Sequence, residues 1–440
     1  MKERHASAVV VSSPGTLDGL ASRYAAIRAV TEGLCRPLSP EDQMLQSMPD
    51  CSPGKWHQAH TTWFFETFIL HANQPGYELF DRDFPFVFNS YYKQLGGHPQ
   101  RGYRGLFSRP PLERVLDYRR HVDRHMLDFI SRNDILTPEL RCLVELGLNH
   151  EQQHQELILT DIKHGFWSQP LRPAYAPAAA EARSSGGQAG APRLAWFSFE
   201  EGIYSLGHAS SSFAFDNETP RHEVYLQGFR LGSRLATNGE YLEFIDDGGY
   251  RRPELWLSDG WDTVASQRWS APLYWEQRDG AWFAFTLAGL RPVDPREPVA
   301  HVSYYEADAF ARWAGARLAT EAEWEVAAAG CPIEGNLLES ASYHPRPLAQ
   351  PAEAFPAQLF GDVWEWTASP YSPYPGFRPA AGALGEYNGK FMCNQMVLRG
   401  GSCATPASHL RASYRNFFPP HARWQFSGIR LAKDGGRESA

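Results

Sequence analysis

The chain has 440 residues, of which 43% are hydrophobic and 21% charged, and carries a formal net charge of −8 at pH 7. That length exceeds one ordinary domain and predicts two or three. The acidic balance argues against a nucleic-acid or anionic-membrane partner, since both reward a basic face. No apolar run reaches the roughly 18 residues that a membrane span needs, and the opening MKERHASAVVVSSPG has too short an apolar stretch for a signal peptide. Six cysteines stand singly, with no CxxC, as reduced thiols would. A cytoplasmic location is the expectation.

In chain order, LASRYAAIRAVTEGLC, TTWFFETFILHA, LERVLDYRRHVDRHMLDFI and LRCLVELGLNHEQQHQELILTDI each repeat apolar residues near a 3.6 period and predict helices. Thr137-Pro138-Glu139 supplies the start of the last one. Four such segments predict an N-terminal four-helix bundle over residues 1–175, the setting in which metal sites are built from inward-facing side chains. The insert from Gln74 to Arg109 reads as a pocket-forming loop. Residues 176–192, APAAAEARSSGGQAGAP, form a low-complexity linker. From 193 to 440 the texture changes to short aromatic strands, frequent Gly and Pro, and a few short helices such as TNGEYLEFIDDGG and VSYYEADAFARWAGA, a mixed α+β domain.

Chemistry concentrates in LGLNHEQQHQELILTDIKH. His150 and His154 lie four apart and on a helix project from one face, so two imidazoles can share one metal ion; the plainer reading is two histidines serving the helix. Upstream, WHQAH offers a third ligand, and spacing does not choose between His57 and His60. Three neutral imidazoles leave positions open for O₂ or substrate, but imidazole suits Zn, Fe, Cu and Ni alike. A competing reading takes His150-Glu151-Gln152-Gln153-His154 as HExxH, a zinc-protease signature with Glu151 as general base. No HExxHxxGxxH continuation follows it.

Three blocks carry a family resemblance. WHQAHTTWFFETFIL and LNHEQQHQELILTDIKH resemble the two halves of the iron site in a DinB-like four-helix domain. HASSSFAFDNETPRHEV, FGDVWEWTASPY, VLRGGSCATPASHLRASYRNFFPP and FSGIRLAKD resemble a sulfatase-modifying-factor domain, a formylglycine-generating-enzyme-like variant of the C-type-lectin architecture. Both domains in this order are similar to the ergothioneine-biosynthesis sulfoxide synthases. The resemblance implies iron(II) held by His60, His150 and His154, with His57 as a neighbour. It implies O₂-dependent joining of the sulfur of cysteine, or of γ-glutamylcysteine, to C2 of the hercynine imidazole. It also implies catalytic roles for Tyr91 and Tyr92, a carboxylate clamp from Arg101 and Arg104, and hercynine contacts from Gln153, Asn416, Phe417 and Phe418. Another branch of the family places its tyrosine in the C-terminal domain, where Tyr387 in GEYNGKF is a poorer local match. The related cysteine-to-formylglycine oxidation needs two close cysteines after the GGS turn, and only Cys403 is there. A non-catalytic lectin-like binding protein is a further alternative that leaves the three histidines unexplained.

Overall fold

The computed structural model describes residues 17–132, 136–176 and 190–435. The predicted linker therefore falls largely outside the described residues. The described residues form two compact units. One draws on Met1–Ser168, Ala209–Thr219 and Phe377–Lys390, the other on Gln169–His208, Pro220–Gly376 and Phe391–Ala440.

The first unit is built on four long helices: α1 (Leu17–Cys35), α2 (Gly54–Phe65), α3 (Leu112–Ser131) and α4 (Pro138–Ser168). On α3 the buried positions Val115, Tyr118, Arg119, Val122, Met126, Phe129 and Ile130 form one stripe at helical spacing. The other two central helices differ. From Lys55 to Phe65 every residue of α2 is buried, and α4 is buried on all sides from Gly147 to Gln152. Helices this enclosed that still carry His, Gln, Thr and Glu must satisfy those groups internally. They do so. The Glu151 carboxylate, fully buried, receives Arg28 Nη1 at 2.7 Å, Arg119 Nη2 at 3.0 Å and Thr31 Oγ1 at 2.7 Å. Arg28 also donates to Asp123 at 2.6 Å and to Thr62 Oγ1 at 2.8 Å. Burial pushes the Glu151 carboxyl up, but the two guanidinium groups outweigh it and hold it down at about 2.

Past Phe65, α2 widens into one π-helical turn, Glu66–Leu70. The buried Glu66 accepts from Tyr77 Oη at 2.8 Å, Tyr118 Oη at 2.6 Å and the Phe80 backbone N–H at 3.0 Å, which pins the start of the following loop against α2 and α3. That loop holds short helical turns at Phe84–Val87, Lys93–Leu95 and Arg101–Leu106. Close packing of α4 on α2 depends on Gly147, where a Cβ would sit 2.5 Å from Phe65 Cε1 and 3.0 Å from Phe64 Cε1.

The second unit is mixed. One antiparallel sheet runs β1 (Trp196–Phe199), β2 (Phe229–Gly232), β8 (Leu431–Asp434), β3 (Arg317–Leu318). A second runs β6 (Asn416–Phe418), β5 (Met396–Arg399), β4 (Trp364–Pro370), β7 (Ser427–Gly428), the last pair parallel with Gly428 opposite Glu365. This register lets the VWEW and SGIR segments meet. Arg430 donates to both oxygens of the buried Glu365 at 2.8 Å, and Trp324 Nε1 donates to the same carboxylate at 2.8 Å. Capping boxes open its helices at Asn238–Asp246, Tyr304–Trp313 and Glu321–Ala328, each a Ser or Thr followed three residues on by Glu. In the GGS turn, Gly400 has φ +96° and a Cβ there would lie 2.4 Å from the Leu359 carbonyl oxygen, so no other residue fits.

Replacing Gly147 by Ala should destabilise the bundle by about 1–3 kcal/mol, because overpacking against two phenyl rings outweighs the roughly 1 kcal/mol of helix propensity gained. Glu151→Ala should cost more, about 3–5 kcal/mol, by removing the buried carboxylate that the two guanidinium groups share and leaving Arg28 to Asp123 and Arg119 to Glu32. Urea unfolding of both variants checks the order.

Candidate metal centre

His60 on α2 and His150 and His154 on α4 offer ring nitrogens that all lie within 4.8 Å of one another. The rings are buried, 1%, 2% and 8% exposed, with centroids 4.7–5.0 Å apart. The i, i+4 spacing places the α4 pair on one face, and the Glu151 network fixes which face that is.

The hydrogen bonds decide which nitrogens are available. His60 Nδ1 lies 2.6 Å from the Phe88 carbonyl oxygen. A carbonyl only accepts, so Nδ1 carries the proton and Nε2 keeps its lone pair. His154 Nδ1 is engaged by His57 Nδ1 at 2.7 Å, which leaves Nε2. Neither ring nitrogen of the buried His150 has a hydrogen-bond partner among the described residues. Burial holds all three imidazoles below the usual histidine range, His150 down to about 3, and the neighbouring His150 adds to the effect on His60 and His154. Buried, neutral imidazoles with inward lone pairs and one orphaned ring fit a divalent transition metal.

His60 is held between two indoles, parallel to Trp56 at 4.5 Å and to Trp63 at 5.3 Å. These sit four before and three after it, where helical geometry stacks side chains. Of the HQAH pair, then, His60 is turned into the trio, and His57 bonds to His154 and, through Nε2, to Asp161 Oδ2 at 3.0 Å.

The loop supplies the remaining groups. Arg104 is buried, its guanidinium carbon 3.5 Å from the Trp56 ring centroid, and it donates to Ser52 Oγ and Ser90 Oγ, each at 2.9 Å. It has no carboxylate within ion-pair distance among the described residues, and burial, then Arg101, pushes it down to about 9. Arg101 is more than half exposed and lies 3.6 Å from Asp50. Tyr91 and Tyr92 stack at 4.6 Å, and Tyr92 packs on Trp63 at 5.5 Å. Burial pushes both phenols up, so they remain protonated.

Two segments from late in the sequence complete this unit. Tyr387 Oη donates to Gln153 Oε1, and its ring lies 5.7 Å from His150, 6.4 Å from Tyr91 and stacked on Phe215 at 5.6 Å. Glu386 accepts from the backbone N–H groups of Lys93 and Gln94, and Asn388 donates to Asp216 at 2.6 Å. The structure thus gathers His60, His150, His154, Tyr91, Tyr92, Arg104 and Gln153 in one unit and adds Tyr387. Asn416, Phe417 and Phe418 form β6 of the other unit, where Phe417 stacks on Tyr371 at 4.0 Å. Sequence reasoning missed Asp161, Trp56, Trp63 and Phe215. The signal for Asp161 was its place seven residues after His154, two turns along the same face.

Residues 195–435 match the sulfatase-modifying factor enzyme 1-like domain and residues 23–158 the DinB superfamily. The chain is 37% identical over 318 residues to the hercynine oxygenase of Mycolicibacterium smegmatis, covering 66% of this chain and 71% of that protein. With the hercynine oxygenase of Mycolicibacterium thermoresistibile it shares 39% identity over 261 residues, 54% of this chain and 58% of that protein's length. The formylglycine-generating enzyme of Mus musculus is 26% identical over 276 residues, 53% of this chain and 73% of that protein. With a DinB-like helical region followed by a sulfatase-modifying-factor domain, and with this likeness to the M. smegmatis protein, the chain belongs to the hercynine oxygenase family.

Proposed function

We propose that this chain is an iron(II)- and O₂-dependent sulfoxide synthase that joins the sulfur of cysteine, or of γ-glutamylcysteine, to C2 of the hercynine imidazole in ergothioneine biosynthesis. The observation that carries the reading is the convergence of three buried, neutral imidazoles, His60, His150 and His154, in a chain whose relatives are hercynine oxygenases. Iron(II) held by these three would supply open coordination positions and the one-electron chemistry with O₂ that closed-shell side chains lack.

The chain's own residues bind, orient and hold protons. Arg104 is a buried cation with donors to spare, suited to the carboxylate of the sulfur donor; Arg101 contributes charge from the loop surface. Gln153, held by Tyr387, orients hercynine. Tyr91 and Tyr92 hold phenolic protons for delivery during C–S bonding, and Tyr387 joins them as a third candidate on its position beside His150. Burying both substrates beside one centre turns a three-body encounter into a local one, worth several kcal/mol or more. The protease reading suffers from Glu151, whose carboxylate is committed to Arg28 and Arg119. No described helix is long and apolar enough to cross a membrane; with all six cysteines unbridged, we place the reaction in the cytoplasm, with small-molecule substrates only.

Oxygen uptake should require iron(II), hercynine and a thiol together, and His150→Ala should abolish it while the far-UV CD spectrum stays unchanged. Zinc that resists exchange, with no uptake, would overturn the reading. Offering cysteine and γ-glutamylcysteine in competition identifies the donor by mass of the product. Changing Tyr91, Tyr92 and Tyr387 singly to Phe should raise the share of oxidised thiol over coupled sulfoxide in at least one variant; an unchanged ratio in all three removes the tyrosines from proton delivery.

A further inference from the structure

We infer that Asp161 and His57 are positioning residues that select the tautomer in which His154 presents Nε2 inward, an inference that rests on the metal-binding reading above. The chain of contacts runs from Asp161 Oδ2 to His57 Nε2 at 3.0 Å and from His57 Nδ1 to His154 Nδ1 at 2.7 Å. An ionised carboxylate only accepts, so His57 Nε2 is the donor. A neutral His57 then has its lone pair on Nδ1, and the proton between the two Nδ1 atoms belongs to His154. A neutral His154 protonated on Nδ1 has its lone pair on Nε2. One carboxylate thereby sets the proton positions of two successive rings. His60 reaches the same tautomer by a different device, the Phe88 carbonyl.

The surroundings of Asp161 argue that its charge serves this purpose. It is 7% exposed, and among the described residues no arginine or lysine lies within ion-pair distance of it; the ring that faces it is His57. Its other strong contact, the Ser52 backbone N–H at 2.7 Å, would be met equally by a neutral amide oxygen. Burying a carboxylate with no cation in ion-pair contact is costly, and although Arg104 feels its charge from farther off, an asparagine would hold the Ser52 turn without that cost. What asparagine lacks is the charge that polarises His57 and, through it, raises the basicity of His154.

Cobalt(II), titrated into the full-length protein against a competing chelator and followed by its visible band, tests this. Asp161→Asn and His57→Phe should weaken cobalt binding by roughly 10–100-fold and shift the band. His57→Gln, whose amide oxygen can accept from His154 Nδ1, should recover most of the loss, which a purely space-filling role for His57 does not predict. His150→Ala should abolish binding. Affinities within about twofold of wild type for both Asp161→Asn and His57→Phe, with His150→Ala still abolishing binding, overturn the relay but leave the histidine trio standing. Should Asp161→Asn not fold, His57→Gln binding no better than His57→Phe overturns it instead. Failure of the wild type to bind cobalt, or unchanged binding by His150→Ala, overturns the metal reading and the relay together.

Discussion

The centre depends on the roll of one helix about its own axis, and the Glu151 carboxylate sets it. A helix with a single apolar stripe is oriented by that stripe; α4 is buried on every side around Gly147 to Gln152, so apolar burial says little about its rotation. Glu151, turned about 100° from His150, is held by Arg28 and Arg119 from α1 and α3. With that direction occupied, His150 and His154 are left to face α2. The adjacent residues of the HExxH pattern therefore do opposite work, one anchoring the helix and the other turned toward the trio.

The same economy applies on α2. Trp56 and Trp63 leave His60 little rotational freedom, and the loop beyond α2 supplies Phe88 as acceptor, Ser90 as partner to Arg104, and the tyrosine pair. Fixed rings and a fixed guanidinium mean that little ordering is required when substrates arrive. Among the described residues Arg104 has hydroxyl partners and no carboxylate within ion-pair distance, so its charge is not committed to one.

The four long helices were legible because α1, α3 and α4 carry apolar residues at helical spacing over many turns. That WHQAH opens α2 was legible too, but its complete burial from Lys55 on was not, since KWHQAH is polar in text, and period alone gives no sign of the π-helical turn after it. The choice of His60 over His57 was out of reach of spacing, because it rests on a carbonyl 28 residues away. Asp161 sat in plain view two turns beyond His154 on the same face. The helix Ser258–Gln267 escaped notice because it buries little beyond Gly260 and Val264. In the second domain the motifs were recognisable as text, but their reason is tertiary: Glu365 and Arg430 meet through a parallel strand pair that joins distant segments.

The interleaving of the chain bears on how such a protein can be inherited. Tyr387, Phe215 and Glu386 are encoded among residues of the second domain yet build the first unit. A crossover in the low-complexity tract at 176–192 would look harmless at the level of the gene, sparing every long helix and every histidine of the trio. Its product would receive those three side chains from a stranger's sequence, and the contacts open to mismatch would be those of Tyr387 with Gln153 and His150 and of Glu386 with the backbone of Lys93 and Gln94.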